Sequence, residues 1–260
     1  MWNPVQYQRF ADERARPFFE LTSRIRASAP RYVVDLGCGT GQLTAALADR
    51  WPGAVVQGVD SSPEMIREAQ SVCAQRAAGA GSLEFRLCDV RDFRPAQPPD
   101  VIVSNAALHW VPDHHGLLTR WAAELAPDGW LAFQVPGNFG QPAHQILGEL
   151  AASPRWRTIL HGNALHRHWD EPSGYLDLLT GAGCEVEAWE TTYLHVLQGS
   201  DPVLEWLRGT ALRPVLAALS PDEAGEFTAE LGIRLRDAYP AHPYGTVFPF
   251  RRIFVVAHQA

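Results

Sequence analysis

The sequence predicts a doubly wound α/β fold: a mostly parallel, seven-stranded sheet with helices on both faces and a helical cap. Three observations predict it. Short apolar, β-branched runs alternate with stretches of helical periodicity through the first half of the chain, the pattern of a parallel sheet covered on both faces. The first such run carries an acid, Asp35, at its end and passes into three glycines at alternate positions, Gly37, Gly39 and Gly41. The second, Ala54 to Val59, runs into another acid, Asp60. It follows the glycines by roughly 20 residues, the distance at which a doubly wound fold sets a carboxylate against a ribose.

Each element has its own signal. Residues 5–28 read as one or two helices with a mixed face (Tyr7, Phe10, Phe18, Phe19, Leu21, Ile25). Strand one is expected over 32–36 and its helix over 42–51, with Leu43, Leu47 and Trp51 at helical spacing. Pro52-Gly53 breaks the chain before strand two, 54–59. Ser61 or Ser62 suits the N-cap of the next helix, with Pro63 near its first turn. An Ala/Gly-rich loop, 77–82, leads to strand three at Leu83 to Leu87, and Pro98-Pro99 precede strand four at Val101 to Ser104. A helix over 115–125 and an Asp128-Gly129 turn lead to strand five, Trp130 to Val135.

After Pro136 the rhythm breaks. Residues 137–182 mix helical pieces, prolines and a His/Trp-rich stretch; strand six follows at 185–194, helices at 202–218 and 222–237, and a last strand at 247–257. The expected organisation is an N-terminal helical lid (1–30), a Rossmann-like nucleotide-binding core (31–136), a helical cap insertion (137–182) and C-terminal core strands (183–260) with a helical segment (201–238) over the substrate. Ligands bind such sheets at the carboxyl edge, where a cap excludes water.

Composition narrows the function. The 260 residues carry a formal charge of −7, which argues against a general nucleic-acid surface. All 22 basic residues are arginine, each a permanently charged planar fork suited to carboxylates and phosphates. The four cysteines (Cys38, Cys73, Cys88, Cys184) show no metal-ligand spacing and read as reduced and buried. The start, Met1-Trp2-Asn3-Pro4, has no signal-like character, and no segment is long and apolar enough to span a membrane. The expectation is a soluble, cytoplasmic protein, a monomer or weak dimer. His161, His166 and His168 lack a completing ligand set, so no metal is expected.

The glycine spacing is not the dinucleotide fingerprint, because Gln42 stands where its third glycine belongs. A nucleoside-containing cofactor is implied, but not one held by its pyrophosphate. Val34-Asp35-Leu36-Gly37-Cys38-Gly39-Thr40-Gly41 resembles the first motif of class I S-adenosylmethionine-dependent methyltransferases; Gly58-Val59-Asp60-Ser61-Ser62-Pro63-Glu64-Met65 resembles their second, and Cys88-Asp89-Val90 their third. The resemblance implies S-adenosyl-L-methionine as cofactor. It implies Asp35 orienting the glycine turn and pairing with the cofactor's amino group, Asp60 on the ribose hydroxyls, and Asp89 at the adenine. Ser61, Met65, Val90 and Asn105 complete the expected cofactor set.

A narrower resemblance spans nearly the whole chain. Trp2-Asn3-Pro4 with Tyr7 and Phe10, Arg14 with Arg16-Pro17, Ser104-Asn105-Ala106-Ala107-Leu108-His109-Trp110-Val111-Pro112, Gly183-Cys184-Glu185-Val186, Trp189-Glu190-Thr191-Thr192-Tyr193 with His195, Leu212-Arg213-Pro214 and Phe248-Pro249-Phe250-Arg251-Arg252 are similar to the trans-aconitate methyltransferases. It implies esterification of one carboxylate of a small polycarboxylate. A carboxylate, with a pKa near ~4, is already a nucleophile at neutral pH, so orientation suffices. His109 is therefore read either as a polar wall residue or as a general base, with Trp110 as a positioning neighbour. Trp2, Tyr7, His109, Tyr193, His195, Arg213, Arg251 and Arg252 are the expected substrate residues. Alternation along the last strand sends Arg251 and Arg252 to opposite faces, one of them into the site. Competing readings are another small acceptor (acid, phenol or amine) and a non-catalytic cofactor-binding regulatory module.

Overall fold

The computed structural model describes residues 11–74, 81–160 and 169–259. The helix α1, Ala11–Ser23, precedes strand β1, Tyr32–Leu36. There follow α2 (Gln42–Arg50), β2 (Val55–Asp60), α3 (Pro63–Ala74), β3 (Ser82–Leu87), β4 (Val101–Asn105), a single 3-10 turn (Leu108–Trp110), α4 (His114–Glu124) and β5 (Trp130–Pro136). The later elements are α5 (Pro142–Ala152), α6 (Pro154–Leu160), α7 (Pro172–Gly181), β6 (Glu185–Leu197), α8 (Pro202–Arg208), α9 (Arg213–Ala217), α10 (Pro221–Ala238), the two-residue β7 (Ala241–His242) and β8 (Gly245–His258).

The strands form one sheet in the order β3-β2-β1-β4-β5-β8-β6, with β7 antiparallel on β8. β1 pairs in parallel with both β2 and β4, β2 with β3, and β4 with β5. The order reverses at β1, the switch point at which a doubly wound sheet opens its ligand crevice. Among the described residues, β7 is the one strand beyond the seven expected from sequence. No helix among the described residues is long and apolar enough to cross a membrane.

Two compact units divide the chain. One holds the described residues of Met1–Val135, His168–Thr191 and Arg252–Ala260; the other holds those of Pro136–Arg167 and Thr192–Arg251. In the first unit β1 is buried along its whole length, as a central parallel strand must be. Its core gathers Val34, Leu36, Ile102, Trp121, Leu131, Phe133, Tyr175 and Val255. Each such side chain contributes about 1.5–3 kcal/mol by leaving water. Asp100 starts β1 by accepting the backbone N–H groups of Arg31 and Tyr32 at 2.7 and 2.9 Å.

α1 is tied down through its polar side chains. Glu20 Oε1 accepts from Thr191 Oγ1 at 2.7 Å and from Trp189 Nε1 at 3.3 Å. At its C-terminal end the open carbonyls of Thr22 and Ile25 accept from Arg50, the kind of capping a helix terminus needs. Ser62 settles the N-cap choice of α3, accepting the Met65 N–H at 3.3 Å.

In the second unit, the stretch expected as one helix over 202–218 is two, separated at Gly209 to Leu212. The cause is Pro214, which has no N–H to donate and is tolerated only in a first turn. Arg213 therefore opens a short helix rather than lying inside a long one. α10 begins with a reciprocal cap between Ser220 and Glu223. Two cysteines also differ from expectation: Cys38 and Cys184 are buried, whereas Cys73 and Cys88 are half-buried, and all four are free thiols. Cys73 lies in the last turn of α3 and Cys88 just past the end of β3, where covering by neighbours is incomplete.

Candidate active site

The turn between β1 and α2 is built by three glycines with positive φ: 85° at Gly37, 55° at Gly39 and 77° at Gly41. They are not equivalent. A Cβ on Gly37 would stand 2.3 Å from Ala107 Cβ, and one on Gly41 would meet Phe85 Cζ at 2.4 Å and Ala69 Cβ at 2.8 Å. Those two glycines are required by protein packing. A Cβ on Gly39 would meet nothing within 4 Å among the described residues. Gly39 is thus the position where bare backbone faces open space that a ligand can approach. The turn is held from β2: Gly37 and Cys38 donate their N–H groups to Val59 O, and Gly39 donates to Asp60 Oδ2 at 2.9 Å.

Asp35 lies under this turn, completely buried. Its Oδ2 accepts from Thr44 Oγ1 at 2.6 Å; its Oδ1 has no hydrogen-bond partner among the described residues. Burial pushes the carboxyl up from its ordinary 3.8 to about 7, against the Thr44 hydrogen bond, and the neighbouring Asp60 charge adds to the rise. A buried acid in that state favours a cationic neighbour. Asp60 is half-buried, and its Oδ1 also accepts the Ser62 N–H at 2.9 Å. Ser61 is exposed beside it, and Met65 is buried on α3. Asp89 is gripped by Arg91, which donates Nε at 2.9 Å and Nη2 at 2.7 Å and holds the carboxyl below its usual range. Asp89 and Val90 lie half-buried just beyond the end of β3. Burial, and the negative charges of Asp35 and Asp60, push the Cys38 thiol up, so it stays un-ionised.

At the end of β4, Ser104 Oγ donates to Leu36 O at 2.8 Å and fixes this strand to β1. Asn105 follows, its Oδ1 buried without a partner among the described residues. Ala106 then takes φ 55°, a left-handed conformation that a non-glycine residue adopts only under constraint. Its N–H is held by Gln134 O at 3.0 Å. The bend carries His109, which is buried, and Trp110, half-buried, onto the 3-10 turn with ring centroids 5.1 Å apart. Arg252, also buried, donates Nη1 to Gln134 Oε1 at 3.2 Å.

The first unit therefore brings together the expected Asp35, Gly37, Gly39, Gly41 and Asp60 around one turn. Two residues that shape this region do not stand out in the sequence-based site. Ala107 carries no chemical signal at all. Gln134 does carry one, as the single polar side chain in an otherwise apolar strand. The orphaned oxygen of Asp35, the open face of Gly39 and the half-buried carboxylate of Asp60, whose oxygens each keep a further lone pair, fit a cofactor with a cationic head and a ribose. The oxygens accept from an ammonium and from hydroxyls, and the bare backbone allows close approach.

In the second unit the buried Tyr193 and His195 stack at 6.0 Å, and His195 stacks on Trp206 at 5.0 Å with Phe250 beside both. Alternation along β6 puts Tyr193, His195 and Leu197 inward and leaves Leu194 and Val196 exposed. Arg213 is partly buried, which lowers its guanidinium pKa by desolvation. The main chain of Arg251 is fixed by Asn138, whose Oδ1 accepts its N–H at 2.6 Å, and by Gly137, whose N–H donates to its carbonyl at 2.9 Å. Arg252 is the fully buried member of the arginine pair and Arg251 the half-buried one. Trp2, Tyr7, His161, His166 and His168 lie outside the described residues.

Residues 7–188 match the family described as methyltransferase domain. A trans-aconitate 2-methyltransferase of Streptomyces avermitilis is 51% identical over 265 residues, covering 99% of this chain and 97% of that one. One from Mycolicibacterium gilvum is 52% identical, covering 99% and 98%, and one from Mycobacterium tuberculosis is 46% identical, covering 99% and 96%. Among solved structures, the YcgJ protein of Bacillus subtilis superposes with a TM-score of 0.60 at 15% identity, covering 94% of this chain and 98% of that one. The mycolic acid cyclopropane synthase CmaA1, complexed with SAH, superposes with a TM-score of 0.58 at 12% identity, covering 95% and 85%. These two likenesses are of fold.

Proposed function

We propose that the chain, which belongs to the methyltransferase family and within it to the trans-aconitate 2-methyltransferases, transfers a methyl group to one carboxylate of trans-aconitate. The observation that carries the reading is identity near 51% along 99% of the chain, far beyond the nucleotide-binding motifs. S-adenosyl-L-methionine, when bound, supplies an electrophilic methyl on a positively charged sulfur, and S-adenosyl-L-homocysteine is the product. Asp35 offers its free oxygen to the cofactor's ammonium, and the ionised carboxylate is stabilised by the charge it meets. Asp60 accepts from the ribose hydroxyls while keeping the Gly39 and Ser62 bonds, since each carboxylate oxygen has more than one lone pair. Gly39 lets the backbone lie against the bound molecule. Asp89 and Val90 border the adenine, with Met65 packing near them, and Ser61 and Asn105 complete the set.

No group on the chain has to remove a proton, because the acceptor acid is ionised at neutral pH. What the residues contribute is orientation and exclusion of water. His109 and Trp110 act as walls at the end of β4, where the methyl is expected. Arg252 pairs with a carboxylate of the acid. By resemblance, further contacts for a polyanion come from Trp2, Tyr7, Tyr193, His195, Arg213 and Arg251. The enzyme is read as cytoplasmic, a monomer or weak dimer, with no nucleic-acid or membrane partner. Its net charge of −7 supports the absence of a nucleic-acid surface.

The test is transfer of labelled methyl from S-adenosylmethionine to trans-aconitate by the purified protein, beside cis-aconitate, citrate and a phenol. A base-labile labelled ester formed preferentially from trans-aconitate is the expected result. Transfer to the phenol alone, or cofactor binding with no acid consumed, would overturn the reading.

A further inference from the structure

β5 is apolar except at one internal position. Gln134 stands between Phe133 and Val135 and is 0% exposed. A carboxamide in such surroundings is unfavourable unless both its ends are hydrogen-bonded. Only one is. Oε1 accepts from Arg252 Nη1 at 3.2 Å, which fixes the orientation of the amide. Nε2 is buried with no hydrogen-bond partner among the described residues.

The position is equally informative. Register pairs Gln134 with Asn105 of β4, and residues paired in this way present their side chains to one face of the sheet. There Asn105 Oδ1 is also buried and unpartnered among the described residues. A donor and an acceptor thus sit side by side without bonding each other. They lie at the carboxyl ends of two parallel strands, the edge where this class of sheet binds ligands. The left-handed turn at Ala106 is held against Gln134 by its N–H.

We propose that Gln134 is an acid-binding, specificity-determining residue, whose Nε2 donates to a carboxylate of the acceptor acid while Oε1 holds the Arg252 guanidinium toward the same group. The inference rests on the reading of the chain as a carboxyl methyltransferase. Its chemical content is the choice of amide. A glutamate here would satisfy Arg252 internally and repel an incoming carboxylate. A hydrocarbon side chain would remove this acceptor from the guanidinium. The amide accepts one N–H from the arginine and turns its own N–H outward, so an anion arriving at this spot meets donors.

The experiment compares the wild type with Gln134→Glu and Gln134→Met. It follows steady-state methyl transfer to trans-aconitate and, separately, S-adenosylmethionine affinity by calorimetry. Loss of a hydrogen bond to a charged group raises the acid's KM about ten- to a hundredfold. The rise is larger for Glu than for Met, and cofactor affinity stays unchanged in both. The Met variant, close in volume and uncharged, carries the test if the Glu variant does not fold. An unchanged KM, a larger effect for Met than for Glu, or a parallel loss of acid and cofactor affinity would each overturn the assignment. Failure of the wild type to esterify any acid would overturn the underlying reading as well; wild-type turnover with unaffected variants overturns this inference alone.

Discussion

Replacing Asp35 by asparagine keeps the shape of the side chain and removes its charge. In the folded chain without cofactor, the carboxyl titrates at about 7 rather than at 3.8. The sign follows from proton counting. Below about pH 4 the acid is protonated in both folded and unfolded states and contributes nothing. As pH rises from about 4 to about 7 the unfolded chain gives up the proton while the folded chain keeps it, so stability falls. Above about 7 both are ionised and the penalty is complete; a rise from 3.8 to about 7 corresponds to about 4 kcal/mol as an upper figure. Asp35→Asn has no such penalty, and Thr44 still finds an oxygen to donate to. The variant is therefore expected to exceed the wild type in stability by a margin that grows with pH, up to about 2–4 kcal/mol near pH 8.5 and close to zero at about pH 3. Urea unfolding of the cofactor-free proteins at several pH values measures this directly. Cofactor binding should move the opposite way. The variant loses a charge-assisted hydrogen bond worth about 1.5–3 kcal/mol, and the wild type's affinity rises toward neutral pH while the variant's does not. A stability difference independent of pH, or equal cofactor affinity, would refute the reasoning.

Four further outcomes are expected. Gly37→Ala combines left-handed strain with the 2.3 Å approach to Ala107 and should cost about 2–4 kcal/mol. Gly39→Ala should cost about 1 kcal/mol yet weaken cofactor binding, because its Cβ fills the open face; unfolding curves beside cofactor titration separate the two. His109→Ala should lower kcat less than about tenfold, short of what removing a general base costs, and the kcat–pH profile should show no ionisation near neutrality. Arg252→Met should raise the KM of the acid while leaving cofactor affinity unchanged, by the same two assays.

The nucleotide-binding half was legible because its signals are local. A β-branched run, a breaker and a 3.6-residue period need no knowledge of distant residues, and β1, β2, β4 and β5 fall within a residue or two of where these cues put them. The helices of the later half were less so. Hydrophobic period continues through Leu207 and Leu212, but Pro214 overrides it by lacking a donor, and one expected helix becomes two.

What the sequence by itself determined is the kind of site: three alternating glycines after a strand and two acids at strand ends demand close backbone approach and a partner for carboxylates. What only tertiary structure decided is how the members of each set differ in what surrounds them. Gly37 and Gly41 are closed by Ala107 and Phe85, and among the described residues nothing closes Gly39. Neighbouring Arg251 and Arg252 have different partners, Asn138 for the one and Gln134 for the other. These choices depend on contacts between residues far apart in the chain, from 44 to 118 positions, and no local pattern records which atoms such contacts leave unsatisfied.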